Sequence, residues 1–373
     1  LLQSIKKLSG TSVEIWAAVS VAKAFDALQI PYNHTETGKP SFDKNFLSSH
    51  DSPLAQMVVK AREINKARTT FIESITKHSH RGRIHAEIHQ MRSDQGGTVT
   101  GRFSYSNPNL QQVPARDQII GPLIRSLFIP EKNCKWGIFD YSQQEPRLVA
   151  HYASMKSFTG ASKFVEAYQD DETTDFHSLV ADLADIPRKQ AKTINLGLFY
   201  GMGKGKLMSE LGVDLETATE LLASYHERVP FVRQLMNDTM NKAGKKGYLR
   251  TLLGRKCRFE LYEPTNEWGS KALPFKEAKD EYGESMIKRA WTYKALNRLI
   301  QGSAADQTKQ AMVDLYKEGY VAHIQVHDEL DFSITDKQQA KKIKEIMENC
   351  VELLVPSKVD VELGDSWGNA GTS

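Results

Sequence analysis

Trp136-Gly137-Ile138-Phe139-Asp140 is a short apolar run that ends on an acid. A buried strand reads as a continuous apolar stretch of this kind. Asp140 would then stand where a packed platform meets solvent. A counterpart lies far downstream, where 321–326 and 330–334 read as two strands joined by a tight turn at His327-Asp328-Glu329. Two acids at strand ends can hold divalent cations such as Mg²⁺, which takes oxygen ligands and shares them with substrate phosphates. Two such ions about 3.5–4 Å apart can clamp the attacking and leaving oxygens of a phosphoryl displacement. The same residues would also serve as a helix cap and a turn former. Spacing alone favours that plainer reading.

Outward from this stretch, the chain reads as one strand-bearing platform with helical arms, an α+β pattern. Residues 19–28 have helical spacing of apolar groups, and Pro31 follows. Residues 32–42 are rich in turn formers and read as a loop, and 53–77 reads as helix. Residues 84–89 alternate like a half-buried strand. Residues 156–295 read as mostly helical and 296–318 as one helix.

The 373 residues are 40% hydrophobic and 25% charged, which excludes disordered and collagenous classes and suggests two or three lobes. No stretch approaches the roughly 18 apolar residues of a membrane span, and nothing resembles a secretory signal. Cys134, Cys257 and Cys350 form no CxxC pair, so a zinc site or disulfide framework is not expected and a reducing, intracellular setting is. The net charge of +3 is uninformative, but its distribution is not. Residues 242–258 hold seven Lys/Arg and no acid, and 60–92 hold eight Lys/Arg against three Glu. Such surfaces attract polyanions, though solvated helix faces look the same.

Residues 187–201 read as a helix with Asp185 as cap, Pro187 in its first turn and Gly201 as its stop. Arg188, Lys192, Leu196 and Tyr200 recur every four residues and cover one stripe. Two cations, an apolar group and a ring in that order suit a nucleotide. An ordinary amphipathic helix explains the apolar members but not the two cations in line with them. Thr100-Gly101-Arg102-Phe103-Ser104 and Pro108-Asn109-Leu110-Gln111-Gln112-Val113-Pro114 form a polar, turn-rich segment. Its amides and Arg could bond phosphates and minor-groove acceptors, or simply face water.

Asp140-Tyr141-Ser142-Gln143-Gln144-Glu145-Pro146-Arg147 resembles motif A of the family A DNA polymerases, the group of bacterial DNA polymerase I and many phage replicases. The segment 188–201 resembles motif B, and Gln325-Val326-His327-Asp328-Glu329 resembles motif C. The two segments around Arg102 and Asn109 resemble the primer-template motif before motif A. Gln301-Gly302-Ser303-Ala304-Ala305-Asp306 resembles the segment before motif C, and Gly364-Asp365-Ser366-Trp367-Gly368 the family's end. The motifs occur in the family's order.

The resemblance implies a right-hand polymerase with an antiparallel-sheet palm and a mostly helical thumb and fingers. The thumb would be 1–80, beginning part-way in, since the chain opens at Leu1. The palm would be 81–155 and 296–373, with fingers at 156–295. The resemblance assigns Asp140 and Asp328 to two Mg²⁺ ions (Mn²⁺ as a substitute), with the backbone carbonyl of Tyr141 as a further ligand and Glu329 in support. It gives Lys192 a catalytic part as well. Gln143, Glu145, His177, Arg188, Lys192, Leu196 and Tyr200 would meet the nucleotide. Within that group, Glu145 would exclude a 2′-hydroxyl, Arg188, Lys192 and His177 would grip the triphosphate, and Tyr200 would stack near the templating base. Arg102, Asn109, Gln111, Asn297, Gln301 and His327 would contact DNA. The implied partners are primer-template DNA and dNTPs, with the chain a monomer and no accessory replication protein named by the sequence.

Departures from the pattern are Leu196, where the family usually has Phe or Tyr, Pro146 in place of a commoner Leu, and Tyr293 where a basic residue is common. The region 266–288 is longer than in the bacterial enzymes. These features point to a phage-like source. A catalytically silent nucleic-acid module is the competing class, but it should have lost an acid or a triphosphate cation, and all four are present. A single-subunit RNA polymerase is the second competitor, and Glu145 favours deoxynucleotides over it.

Overall fold

A computed structural model describes residues 1–93, 96–114, 117, 119–200, 202–267 and 269–371. The chain divides into two compact units, Leu1–Glu87 with Asn107–Leu127, and Ile88–Ser106 with Phe128–Ser373. The fold is α+β, with long helical runs and small antiparallel sheets. Among the described residues, no helix is long and apolar enough to cross a membrane.

In the first unit the helices are Leu2–Ser9, Ala18–Ala27, Lys44–Ser49 and Pro53–Lys66. Asp43 and Ser52 cap the last two, accepting from the backbone N–H three residues on, and Pro53 occupies the first turn, where its missing N–H costs nothing. A π-helical turn, Ala67–Ile72, and the short helix Glu73–Lys77 complete the expected helical run. Ile5, Val21, Phe25, Leu47, Leu54 and Val58 are fully buried or nearly so. Each such side chain contributes about 1.5–3 kcal/mol relative to exposure. The segment expected to be a loop is a small hairpin, Asn33–His34 against Pro40–Ser41. Tyr32 and Phe42 at its ends pack together and against Phe25, and that clustering gives a turn-rich sequence its pairing.

The second unit is built on a four-stranded antiparallel sheet. Its strand order is Ile324–Val326, Glu329–Ile334, Lys135–Tyr141, Val359–Gly364. The apolar run around Ile138 is therefore a central strand. Helix Ala295–Lys317 and helix Lys337–Asn349 back the sheet, with Ala311, Leu315, Ile343 and Met347 packed on Phe139, Leu330 and Phe332. Gln144–Met155 follows the central strand, and six helices from Ala161–Asp170 to Pro230–Lys246 pack around Phe164, Phe176, Phe199 and Phe231. Phe164 lies 5.0 Å from Phe176 and 4.9 Å from Phe231, within the range where aromatic pairs add to simple burial.

The mostly helical reading of 156–295 holds only as far as Lys246. Beyond it come the hairpin of Tyr248–Arg250 with Lys256–Arg258 and a three-stranded sheet of Leu261–Pro264, Leu273–Pro274 and Ile287–Arg289. The long region 266–288 holds helix Phe275–Tyr282. The stretch 84–89 holds two short strand pieces, with Ile84, Ala86 and His89 half-buried and His85, Glu87 and Ile88 exposed.

Candidate active site

The register of the sheet brings the acids together. Glu329 pairs with Asp140 on one side of the central strand, and Asp360 pairs with Asp140 on the other. Asp328 precedes Glu329, and its carbonyl accepts from the Tyr141 N–H at 3.3 Å. Alternation along a strand sends neighbouring side chains to opposite faces. Tyr141 accordingly points into the core and donates to the Met347 carbonyl at 2.7 Å, which leaves Asp140 to the open face. His327 holds a left-handed backbone (φ 57°) in the turn, and its carbonyl accepts from the Gln325 amide at 2.5 Å. Arg147 fastens the segment after Asp140, donating to the carbonyls of Ser142, Pro356 and Glu172 at 2.8, 2.6 and 2.5 Å.

The electrostatics follow from this crowding. Burial first, and then the charges of Asp328, Glu329, Asp360 and Glu362, push the Asp140 carboxyl well above the usual carboxylate range. Asp140 keeps a solvent-facing edge, and the like charges beside it push in the same direction as the enclosure. Asp328 is also raised, chiefly by burial, with Arg102 and His327 opposing. Glu329 is held from behind, its carboxylate accepting from the Trp367 indole N–H at 3.1 Å, and Trp367 is buried. Among the described residues, no group of three or more His, Cys, Asp or Glu side chains is arranged to hold a metal ion. The donor set is instead two carboxylates with a backbone oxygen beside them. That sparse, hard-oxygen set fits Mg²⁺, which keeps waters and substrate phosphates as its other ligands.

Helix Arg188–Phe199 turns Ala191, Ile194, Asn195, Leu198 and Phe199 inward. Arg188, Lys192 and Tyr200 are exposed and Leu196 is half-buried, so the stripe occupies the outer face. The helix starts after Pro187. Asp185 does not cap it but ends the preceding helix in a left-handed conformation (φ 55°), one that Asp tolerates better than most residues. The expected stop, Gly201, lies outside the described residues. The Arg188 Nε donates to Asp175 at 2.5 Å, and this bond with one from Ser178 holds Asp175 below the usual range although burial alone would raise it.

Glu145, in the first turn of helix Gln144–Met155, joins the stripe to Arg102. Its two carboxylate oxygens accept from Arg102 at 2.6 Å and from the Tyr200 hydroxyl at 2.9 Å. Burial and the neighbouring Glu145 charge push the Tyr200 phenol up to about 12, and Gln301 lies close enough to oppose that shift. The structure thus brings Arg102, Glu145, Tyr200 and Gln301 into one group. Asn297 is half-buried one turn earlier on the same long helix as Gln301. Asn109 and Gln111 belong to the first unit, where the Asn109 side chain caps a single turn by accepting from the Gln111 N–H at 3.1 Å.

Two expected nucleotide contacts have other tasks in the structure. His177 is buried, its Nδ1 bonds the Asn195 amide at 3.0 Å, and burial pushes its imidazole down to about 4. The Gln143 side chain is spent within the fold, donating to the Thr174 carbonyl at 2.9 Å and accepting from the Phe176 N–H at 2.9 Å and the Tyr168 hydroxyl at 3.3 Å. Conversely, Asp360 and Trp367 stand at the site unassigned by the sequence. The alternation of Val359, Val361 and Leu363 was the signal for the strand that carries Asp360.

The family model for DNA polymerase family A matches residues 1–369. The chain is 36% identical over 420 residues to a DNA-directed DNA polymerase of Pseudomonas phage M6, covering 99% of this chain and 60% of that protein. It is 32% identical over 369 residues to the thermostable DNA polymerase I of Thermus aquaticus, covering 93% of this chain and 40% of that one. The chain thus spans about three-fifths of the phage relative's length. Among solved structures, the POL domain of Pol1 from M. smegmatis, in complex with DNA primer-template and dNTP, superposes with a TM-score of 0.77 at 28% identity. That likeness covers 99% of this chain and 64% of the other. With the acid pair, the cationic stripe and the Glu145 junction all borne on segments inside the matched span, this chain belongs to DNA polymerase family A.

Proposed function

We propose that this chain is a template-directed DNA polymerase that adds dNTPs to a primer 3′ end. The observation that carries the reading is the Glu145 junction, which ties Tyr200 at the end of the cationic helix to the helix that directly follows the strand bearing Asp140. In this reading 1–80 form the thumb, 81–155 with 296–373 the palm, and 156–295 the fingers. The enzyme acts as a monomer on primer-template DNA, inside the cell, in the replication of a phage or phage-like genome. Its resemblance to phage polymerases supports the last point.

The primer 3′-oxygen attacks the α-phosphate, the bond to the β-phosphate oxygen breaks, and pyrophosphate leaves. Asp140, Asp328 and the Tyr141 carbonyl would hold two Mg²⁺ ions, or Mn²⁺ in their place, which when bound supply positive charge to the attacking and leaving oxygens. Lys192 and Arg188 neutralise the triphosphate, Arg188 exchanging Asp175 for phosphate. Tyr200 leaves Glu145 to meet the templating base, which frees one Glu145 oxygen beside the incoming sugar. Primer extension with dNTPs against NTPs tests this reading.

Glu145 should act as the sugar gate. Arg102 fixes its carboxylate, so a 2′-hydroxyl would meet a filled wall. Glu145→Ala is expected to raise the use of CTP relative to dCTP about tenfold or more, at some cost in dCTP use. Single-turnover insertion with the two nucleotides measures the ratio, and an unchanged ratio would remove Glu145 from the sugar site.

Leu196 faces the same nucleotide and has neither donor nor acceptor. In the family, a Tyr at this place tolerates dideoxynucleotides because its hydroxyl supplies the hydrogen bond that a missing 3′-hydroxyl cannot. The chain is therefore expected to discriminate against dideoxynucleotides, and Leu196→Tyr to relax that discrimination. Competition of dTTP with dideoxy-TTP reads this directly. Equal termination by both forms would place Leu196 in the packing of the fingers alone.

A further inference from the structure

The basic run 242–258 is not one uniform anion-binding face. Lys242 pairs with Asp238 at 2.5 Å, and Lys256 lies over the Tyr248 ring at 4.9 Å. Arg255 turns inward. Its Nε donates to Asp306 at 3.0 Å, and its Nη2 donates to the carbonyls of Thr100 at 2.7 Å and Gly302 at 3.0 Å. Asp306 is buried, and its second oxygen accepts from the Leu253 N–H at 3.2 Å, so the acid also holds the turn that presents Arg255. One guanidinium therefore joins three segments: the loop before Arg102, the long helix at Gln301, and the hairpin of Lys256–Arg258.

The glycines beside it show that the fit is specific. Gly101 has φ +86°, and a Cβ there would lie 2.7 Å from the Arg255 guanidinium carbon. At Gly302 a Cβ would lie 3.0 Å from Nη2 and 3.2 Å from the Thr100 carbonyl oxygen. Both segments give up a side chain where the guanidinium sits. Each glycine adjoins a residue of the Glu145 group, Gly101 before Arg102 and Gly302 after Gln301. Thr98 stiffens the same loop, its hydroxyl donating to the Arg102 carbonyl at 2.9 Å.

We infer that Arg255 is a positioning residue for nucleotide selection, acting through Arg102 by clamping the 98–102 loop to the long helix. The inference rests on the polymerase reading. The clamp sets where the Arg102 guanidinium stands, Arg102 sets the Glu145 carboxylate, and Glu145 excludes the 2′-hydroxyl. The planar fork serves three acceptors at fixed angles, which a lysine ammonium on a flexible stem does not reproduce.

A double-mutant cycle tests it, with Arg102→Ala, Arg255→Lys, Arg255→Ala and the two double variants measured for dCTP and CTP insertion. Arg255→Ala is expected to lose about tenfold or more in dCTP use and to narrow the dCTP/CTP ratio. Arg255→Lys is expected to shift the ratio in the same direction and not to rescue it, while melting close to wild type. In the Arg102→Ala background, either Arg255 change should add little further loss, because coupled residues do not act independently. Losses that multiply in the double variants, or a dCTP/CTP ratio unmoved in both Arg255 variants, would overturn the clamp while leaving the polymerase reading intact. A wild-type chain inert with all dNTPs would overturn both.

Discussion

Asp140→Ala, and separately Asp328→Ala, is expected to lower primer extension by at least about a thousandfold, while primer-template binding stays within a few-fold of wild type. Strand pairing sets Glu329 and Asp360 opposite Asp140, with Asp328 in the adjoining turn, and Asp140 lies under the negative charge of Asp328, Glu329, Asp360 and Glu362. Removing one carboxylate relieves repulsion, so the fold should tolerate the change or gain from it. A large loss of extension without loss of stability is therefore the signature of a chemical role. Thermal melting beside a primer-extension time course separates the two effects. Near-normal extension by either variant would remove that acid from the reaction.

Lys192→Ala should produce the second largest effect. Lys192 is exposed on the outer face of its helix, one turn from Arg188 and two from Tyr200, which touches Glu145. A charge-assisted contact to phosphate is worth about 1.5–3 kcal/mol, or about 10- to 150-fold in rate. The loss should fall on dNTP kcat/KM, with DNA affinity little changed. Steady-state kinetics with a titrated dNTP, beside a DNA-binding isotherm, divides the two. Collapse of DNA binding with preserved dNTP kinetics would assign this helix to the duplex channel instead.

The sequence was most legible where a signal is local. The apolar run to Phe139 announced a strand, the stripe from Arg188 announced a helix with an outer polar face, and His327-Asp328 announced a turn. Long-range pairing was not legible. Periodicity does not say which strands become neighbours, so nothing local marks Asp360 as the residue opposite Asp140. Asp185 was misplaced for a related reason. An acid before a helix reads as its cap, but here the preceding helix ends on it and uses its tolerance of positive φ. Gln143 was a polar residue near a motif, and only packing shows its side chain bonded within the fold. Arg255 was counted as one of seven surface cations, because nothing local reveals that Gly101 and Gly302 leave room for its guanidinium.

The central claim is template-directed addition of deoxynucleotides. It is tested most directly by offering the wild-type chain a primer-template in Mg²⁺ with one nucleotide at a time, the four dNTPs and then the four NTPs, and reading single additions on a sequencing gel. The account predicts extension by the dNTP complementary to the first template base, strong preference for it over the other three, and much weaker addition of the matching NTP. No extension with any dNTP, or equal addition of the matching NTP, would contradict it.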